Sequence, residues 1–383
     1  MILSRSLAIA FLLVLMPFVA KADPPNHESV KVTVVVPVYN DVETVERAVQ
    51  SILNQTHHNV EVFVVDDHSN ESTYQTLVDT FGRRHDPRLH LIRLNRNVGL
   101  YSLKNYVLKN LATGDFFTVQ DSDDYSHPER IQREVEHALR YQLDGVGMKV
   151  KRISQEGGER VIYTNYPEQK PPTERHPMRE DYYVSSQIPS DKGMYRTELA
   201  VRIGGFNGHR RVEGDLDFAN RFNRVFWTGS FNKFPLYYWV RRSGSLTTSS
   251  STGFSAKKSW LGGRRIPSRA RLEARTARNV SKAAANVFSW LGLTGPFVGQ
   301  VVSDLYYPQD LGVEKYDGPG LPAGSFRHFD PQAAENQQWW RDHMTAQRSG
   351  ERHPSPLFQS AELCASQYGE LAVHGNAVQR EIP

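Results

Sequence analysis

The sequence predicts an α/β fold in which a central, mostly parallel sheet is flanked by helices, and three observations carry that expectation. Short apolar runs alternate with stretches of helical period from Lys31 to Leu143. The runs are apolar at consecutive positions rather than at every second one, as strands buried on both faces are. A polar cluster follows each run, and in a parallel sheet all such clusters fall along one carboxyl edge, where open α/β sheets bind ligands.

The first strand is Val32–Val38, with Pro37 near its end as a strand gives out at a rim. Asn40, with Glu43 three residues on, reads as a capping-box variant, and Val42, Val45, Val49, Ile52 and Leu53 then mark one helical face. Val60–Val65 is the second strand and closes in Asp66-Asp67. Helical spacing resumes over Tyr74–Phe81. Leu89–Leu94 follows as a third strand, then the polar turn Asn95–Gly99 and a helix over Leu100–Leu111. Phe116–Val119 is the fourth strand, and a helix runs from Glu129 to Leu143. Units of this kind connect parallel strands by right-handed crossovers. Beyond them, Gly145–Ile153 and Glu159–Tyr163 alternate about Gly157-Gly158 as a hairpin, and Pro167–Pro177 is a long polar connection with four prolines.

The chain has 383 residues, enough for one sizeable domain with appendages or for two, and 39% hydrophobic with 23% charged residues can build a core. Its one cysteine, Cys364, excludes an intramolecular disulfide and a cysteine-based zinc site. Residues 1–22 place Arg5 before an apolar run, Leu7–Ala20, interrupted by Pro17 and followed by Ala20-Lys21-Ala22. That pattern is a secretory signal peptide, with an uncleaved signal-anchor as the alternative. The protein is therefore expected to be membrane-associated or exported, with the side of the membrane on which it works left open. The net charge of +4 is uneven, since Lys257–Lys282 holds nine Lys or Arg and one acid. Within residues 249–309, read as a linker and a helical segment, Arg271, Arg275, Arg278 and Lys282 share one face of a helix over Ser268–Leu291. Such a face suits contact with an anionic membrane surface or plain solvation; no nucleic-acid motif accompanies the charge. Residues 310–383 read as a poorly structured tail.

The fourth strand ends in Asp121-Ser-Asp-Asp124. Three carboxylates crowded at the end of an apolar strand repel one another unless a cation sits among them. Hard divalent ions such as Mg²⁺ or Mn²⁺ take oxygen ligands and are shared between carboxylates and phosphates. The alternative is an acidic turn in which Asp124 or Ser126 caps the next helix. No Gly-x-Gly-x-x-Gly follows the first strand and no P-loop occurs anywhere, so a dinucleotide-dependent oxidoreductase lacks its phosphate cradle.

Val34-Val-Val-Pro-Val-Tyr-Asn40, Ser51-Ile-Leu-Asn-Gln-Thr56, Val64-Val-Asp-Asp-His-Ser69, Asn97-Val-Gly99 and Ala112-Thr-Gly-Asp-Phe116 leading to Asp121–Asp124 resemble the family 2 inverting glycosyltransferases of the GT-A, Rossmann-like fold. The resemblance covers Val32 to Thr248 and gives residues 30–248 as the catalytic domain. It implies a nucleotide-sugar donor, usually a UDP-sugar, and Mn²⁺ or Mg²⁺ on the diphosphate. It assigns Pro37 and Tyr39 to the wall of the base pocket, Asp67 to the uracil imide with Asp66 as its neighbour, and Asn97 to the same nucleotide side. Asp121 then faces ribose and metal, and Asp123 is the metal ligand. Lys104 stands beside Asn105 where many members carry Arg; a nucleotide contact and a solvated helix Lys are its two readings.

Gly204-Gly-Phe-Asn207 and Val212–Phe222 resemble the segment whose acidic pair opens a helix and supplies the catalytic base, which here is Asp215. Gly214 occupies the place usually held by Glu, with Glu213 one residue away on the acceptor or phosphate side. A plain N-cap is the simpler role for Asp215. Tyr237–Thr247 resembles the end of the catalytic domain, where Arg242 stands in place of a metal-binding His; an Arg pairs with phosphate but cannot ligate a metal. The expected function is metal-dependent, inverting transfer of a sugar to a hydroxyl of a glycan or lipid-linked acceptor. A GT-A protein that binds nucleotide or glycan with weak or no transfer is the alternative.

Overall fold

The structure is a computed structural model, and it describes residues 27–82, 84–154, 162–163, 192–208, 214–242, 260–261, 264–265, 311–320 and 334–349. The expected signal segment, the basic helix over 268–291, the Gly157-Gly158 turn, the Pro167–Pro177 connection and Glu213 lie outside these residues. Among the described residues no helix is long and apolar enough to cross a membrane.

The four expected strands form as β1 (Val32–Val38), β2 (Val60–Asp66), β3 (Leu89–Leu94) and β4 (Phe116–Val119), with α1 (Val45–Leu53), α2 (Glu71–Leu77) and α3 (Leu100–Asn110) between them. The short β5 (Tyr125–Ser126) precedes α4 (Arg130–Tyr141). Then come β6 (Gly145–Ser154), β7 (Ile162–Tyr163), β8 (Met194–Arg196), α5 (Thr197–Arg202), α6 (Gly214–Val225) and β9 (Thr228–Arg241). A two-residue pair, β10 (Trp260–Leu261) and β11 (Arg264–Arg265), stands apart from the main sheet, and β12 (Val313–Asp317) and α7 (Ala334–Ser349) complete the chain.

The main sheet runs β12-β3-β2-β1-β4-β8-β6-β9-β5, with β7 on β6. From β3 through β2 and β1 to β4 every pairing is parallel. Beyond β4 the sheet is mixed: β8 is antiparallel to both β4 and β6, while β6 and β9 run parallel. Of the expected hairpin, the two arms pair antiparallel, with Lys151 opposite Tyr163 and Arg152 opposite Ile162.

Alternation splits the consecutive valines between two cores. Val32, Val34, Val36, Val60, Val62 and Val64 pack on one face with α1 and α4, while Val35, Phe63 and Val65 pack on the other with α3, α5 and α6. Both faces are covered, which is why apolar residues fill most positions of these strands. Chain order rises from β1 through β2 to β3 in one direction and from β1 to β4 in the other. The order therefore reverses between β1 and β4, and the crevice outside such a reversal is where ligands bind in open α/β sheets.

Three expectations change. Asn40 does not cap α1, which starts at Val45 with Thr44 before it; Asn40 takes a φ of 49° and accepts hydrogen bonds from the backbone N–H and side-chain amide of Asn70, both at 3.0 Å. Lys104 is not solvated. It is 1% exposed, with Nζ 5.4 Å from the Tyr101 ring and 5.6 Å from that of Phe206. Part of the segment read as a loose tail is ordered: β12 pairs antiparallel with β3, the Tyr316 hydroxyl lies 2.9 Å from His90 Nδ1, and α7 buries Trp340 against Phe226. Sequence pattern missed both elements because each is completed by contacts with strands and helices far away in the chain.

Candidate active site

All four polar clusters fall on one edge, since β1, β2, β3 and β4 are parallel. The loops after β1 and β2 are joined there, with the Asn40 N–H donating to Ser69 Oγ at 2.8 Å. Tyr39, on the β1 loop, is 55% exposed, an aromatic face open to solvent at the rim, while Pro37 is buried within β1 opposite Val65. Asp66 accepts from the Ser69 N–H and lies 3.7 Å from Arg93. Burial raises its pKa.

Asp67 has a structural task that the sequence did not reveal. Its two oxygens accept the N–H groups of Val98 and Gly99, both at 2.8 Å, and Asn97 Nδ2 donates to its backbone carbonyl at 2.9 Å. These N–H groups lie just before α3, which starts at Leu100, so Asp67 fixes the turn that enters that helix from the end of the strand next to β3. Burial raises its pKa to about 6, against the pull of the two backbone donors. Contact with a base at Asp67 would use a remaining lone pair.

The acidic cluster stands at the β1–β4 reversal. Ligand atoms of Asp121, Asp123 and Asp124 lie within 4.8 Å of one another. Asp124 is turned inward, fully buried, accepting from the Tyr237 hydroxyl at 2.7 Å and the Val240 N–H at 2.8 Å. It caps no helix; it pins β9 to the end of β4. Burial, then the charges of Asp121 and Asp123, push its pKa well up. Burial and Asp121 raise that of Asp123 as well.

Two cations from distant parts of the chain face the cluster. Lys192 Nζ pairs with Asp121 Oδ2. Arg242 donates to Asp123 at 3.2 Å and to Asp41 at 2.6 Å. Burial works against the Arg242 charge, but Asp41 and Asp123 outweigh it and hold its pKa above the ordinary value. The buried Arg130 guanidinium sets Lys192 in place by donating to its carbonyl at 2.7 Å while also holding Thr118 and Ser126. Asp41, Lys192 and Arg130 had not been singled out in the sequence. Only Asp41 had a local signal, as the residue after Tyr39-Asn40.

The donor set fits a hard divalent ion. It consists of carboxylate oxygens, and Asp121 Oδ1 is buried with no hydrogen-bond partner in the structure. Asp121 and Asp123 are the residues that would hold such an ion, Asp124 being committed to β9.

Asp215 lies in the first turn of α6, after its first residue, Gly214, so it sits inside the helix rather than at an N-cap. The Tyr101 hydroxyl of α3 donates to Asp215 Oδ1 at 3.3 Å. α6 is anchored by Phe218 and Phe222, which meet the Tyr195 ring edge-on at 4.9 Å. Tyr195 is on β8, three residues after Lys192. The element that carries Asp215 thus packs on the strand that delivers the cation facing Asp121. Asp217 pairs with Arg221, which donates to the carbonyls of Ile203 and Gly205 at 2.6 Å.

Residues 33–204 match the family model for glycosyl transferase family 2. Over those residues the chain is similar to glycosyl transferase family 2. Asp215 and Arg242 lie beyond the matched residues. The succinoglycan biosynthesis protein ExoO of Rhizobium meliloti is 41% identical over 117 residues, 30% of this chain and 32% of that protein. The UDP-Glc:alpha-D-GlcNAc-diphosphoundecaprenol beta-1,3-glucosyltransferase WfaP of Escherichia coli is 31% identical over 104 residues, 27% of this chain and 39% of that protein. The chain therefore spans well under half the length of these curated relatives. Among solved structures, S. aureus TarS 1-349 in complex with UDP-GlcNAc aligns with a TM-score of 0.47 and 19% identity, over 91% of this chain and 88% of that one.

Proposed function

We propose that this protein transfers a sugar from a UDP-sugar to a hydroxyl of a glycan or lipid-linked acceptor, with inversion, in polysaccharide synthesis. The observation that carries the proposal is the convergence of Asp121, Asp123, Lys192 and Arg242 at the strand-order reversal of a domain similar to glycosyl transferase family 2. The donor and the acceptor class are supported by the name of WfaP, and the polysaccharide context by that of ExoO.

Asp121 and Asp123 would hold Mn²⁺ or Mg²⁺, and the ion would supply positive charge to offset that of the diphosphate and of the leaving group. Tyr39 offers its exposed ring to the base. Lys192 and Arg242 set positive charge beside the same carboxylates and can turn to phosphate oxygens without either ligating a metal. Asp215 takes the proton from the acceptor hydroxyl as its oxygen bonds to the anomeric carbon. The bond from that carbon to the phosphate oxygen breaks on the opposite side, and its electron pair leaves with UDP. No residue of the chain forms a covalent intermediate.

Release of UDP by the purified protein from a panel of UDP-sugars, with and without Mn²⁺ or Mg²⁺, tests this reading. Asp215→Asn is expected to lower turnover by about 10²–10⁴-fold, the usual contribution of a general base, with UDP binding intact. A second reading, a protein that holds nucleotide or glycan without transfer, is favoured by one observation. Arg242 already occupies Asp123 and Asp41, so the cluster is partly neutralised by its own chain. Metal-dependent UDP binding without turnover on any donor and acceptor pair would establish that second reading.

A further inference from the structure

We infer that Tyr101 positions the carboxylate of Asp215, and that Gly214 is present to let it do so. The inference rests on the base role proposed for Asp215. Tyr101 is in the first turn of α3 and is 5% exposed, so its hydroxyl is not a surface group. That hydroxyl donates to Asp215 Oδ1 at 3.3 Å.

The ring is fixed by its surroundings. It stacks on Phe206 at 6.1 Å, and Phe206 is locked in turn by Asn105, which accepts from its N–H at 2.8 Å and donates to its carbonyl at 2.6 Å. Gly205 has a φ of +67°, and a Cβ there would lie 2.3 Å from Asn105 Oδ1, so that lock also depends on a glycine. On the α6 side, a Cβ on Gly214 would fall 2.7 Å from Cδ2 and Cε2 of the Tyr101 ring and 2.9 Å from Cγ. Real contacts of that kind do not occur, so any side chain at 214 would push the ring away from Asp215. Glycine gives up more conformational freedom on folding than any other residue, and here its lack of a Cβ permits the close approach.

A carboxylate free to rotate presents either oxygen in many directions. The Tyr101 hydroxyl on Oδ1 restricts that rotation, and misplacement of a reacting group by about 1 Å can cost 10²-fold in rate. Tyr101 touches no reacting atom and is a positioning residue.

The test uses the full chain and the UDP-sugar on which it turns over. Tyr101→Phe keeps the ring and its stacking but removes the donor. It is expected to lower kcat by about tenfold, the scale of a lost hydrogen bond to a charged group, with donor KM and melting temperature unchanged. Gly214→Ala keeps the hydroxyl but displaces it and should lower kcat to a similar extent. Because both changes break one contact, the double variant should turn over no more slowly than the weaker single. Tyr101→Phe within about twofold of the wild-type kcat overturns the inference, as does a loss confined to donor KM or accompanied by an equal loss of stability. Wild-type turnover by Asp215→Asn, or no turnover by the wild type with any donor, overturns the base role itself and the inference with it. An inactive Asp215→Asn beside a fully active Tyr101→Phe removes the inference alone.

Discussion

The two ends of β2 carry carboxylates with opposite environments. At the amino end, Glu61 is buried and receives four donors: the Thr33 hydroxyl, the Thr113 N–H at 2.7 Å, the Thr113 hydroxyl at 2.6 Å and Lys31 Nζ at 2.6 Å. Burial opposes its charge, but these partners outweigh burial and hold its pKa below the usual range. At the carboxyl end, Asp67 has two backbone donors and a carboxylate neighbour, and burial wins, raising its pKa to about 6. Across the switch point, Asp123 and Asp124 are raised as well. The same chemical group is saturated at one rim and short of positive charge at the other. Only the second arrangement gains by admitting a cation or a hydrogen-bond donor from outside, which is where a ligand-binding edge differs from a structural one.

The sharpest break between the two rims is expected in their response to metal. Asp121→Asn and Asp123→Asn should abolish turnover and remove any rise in melting temperature on adding Mn²⁺ or Mg²⁺, a rise that corresponds to about 2.7 kcal/mol at a metal concentration of 100 Kd. Glu61→Gln should leave that metal response in place. Its own effect is on folding, because an amide presents an N–H₂ group to partners that are all donors. Loss of about 1–3 kcal/mol in urea unfolding is expected.

The smallest effect is one of sign, and it separates Glu61 from Asp67 by pH. Glu61 has a lowered folded pKa, so its contribution is present above the ordinary glutamate value of about 4.3 and is lost as pH falls through the lower folded value. The stability gap between wild type and Glu61→Gln should therefore close in acid. Asp67 has a raised folded pKa, so its titration favours the folded state below the ordinary aspartate value of about 3.9, and that contribution is lost as pH rises to about 6. The gap between wild type and Asp67→Asn should narrow as pH rises over that window. Unfolding curves between about pH 3.5 and 7.5 measure both slopes; gaps that move in the same direction would contradict the contrast between the rims.

Much of the first half of the sheet was legible in the sequence. Runs such as Val32–Val38 and Val60–Val65 have room for one interpretation, because only a strand covered on both faces stays apolar at successive positions. The acids at the ends of β2 and β4 were legible for the same reason, as they interrupt such runs. The fate of each side chain was not. Lys104 and a solvated helix lysine have the same local sequence, and only the packing of Tyr101 and Phe206 over α3 makes the first a buried residue. Asp124 looks like a helix cap until Tyr237 and Val240 approach it from β9. Trp340 gave no periodic signal, since its partner Phe226 lies just past the end of α6, in another part of the chain.

By itself, then, the sequence determined which residues reach the carboxyl rim, because strand length and the period of side chains are local properties of the backbone. Tertiary structure decided what those residues meet there. Arg242 is 119 positions from Asp123 and 201 from Asp41, and Lys192 is 71 from Asp121. No local rule encodes such pairings. They exist because β4 was added on the far side of β1 and β8, β6 and β9 were laid beyond it, which brings distant charges into one crevice.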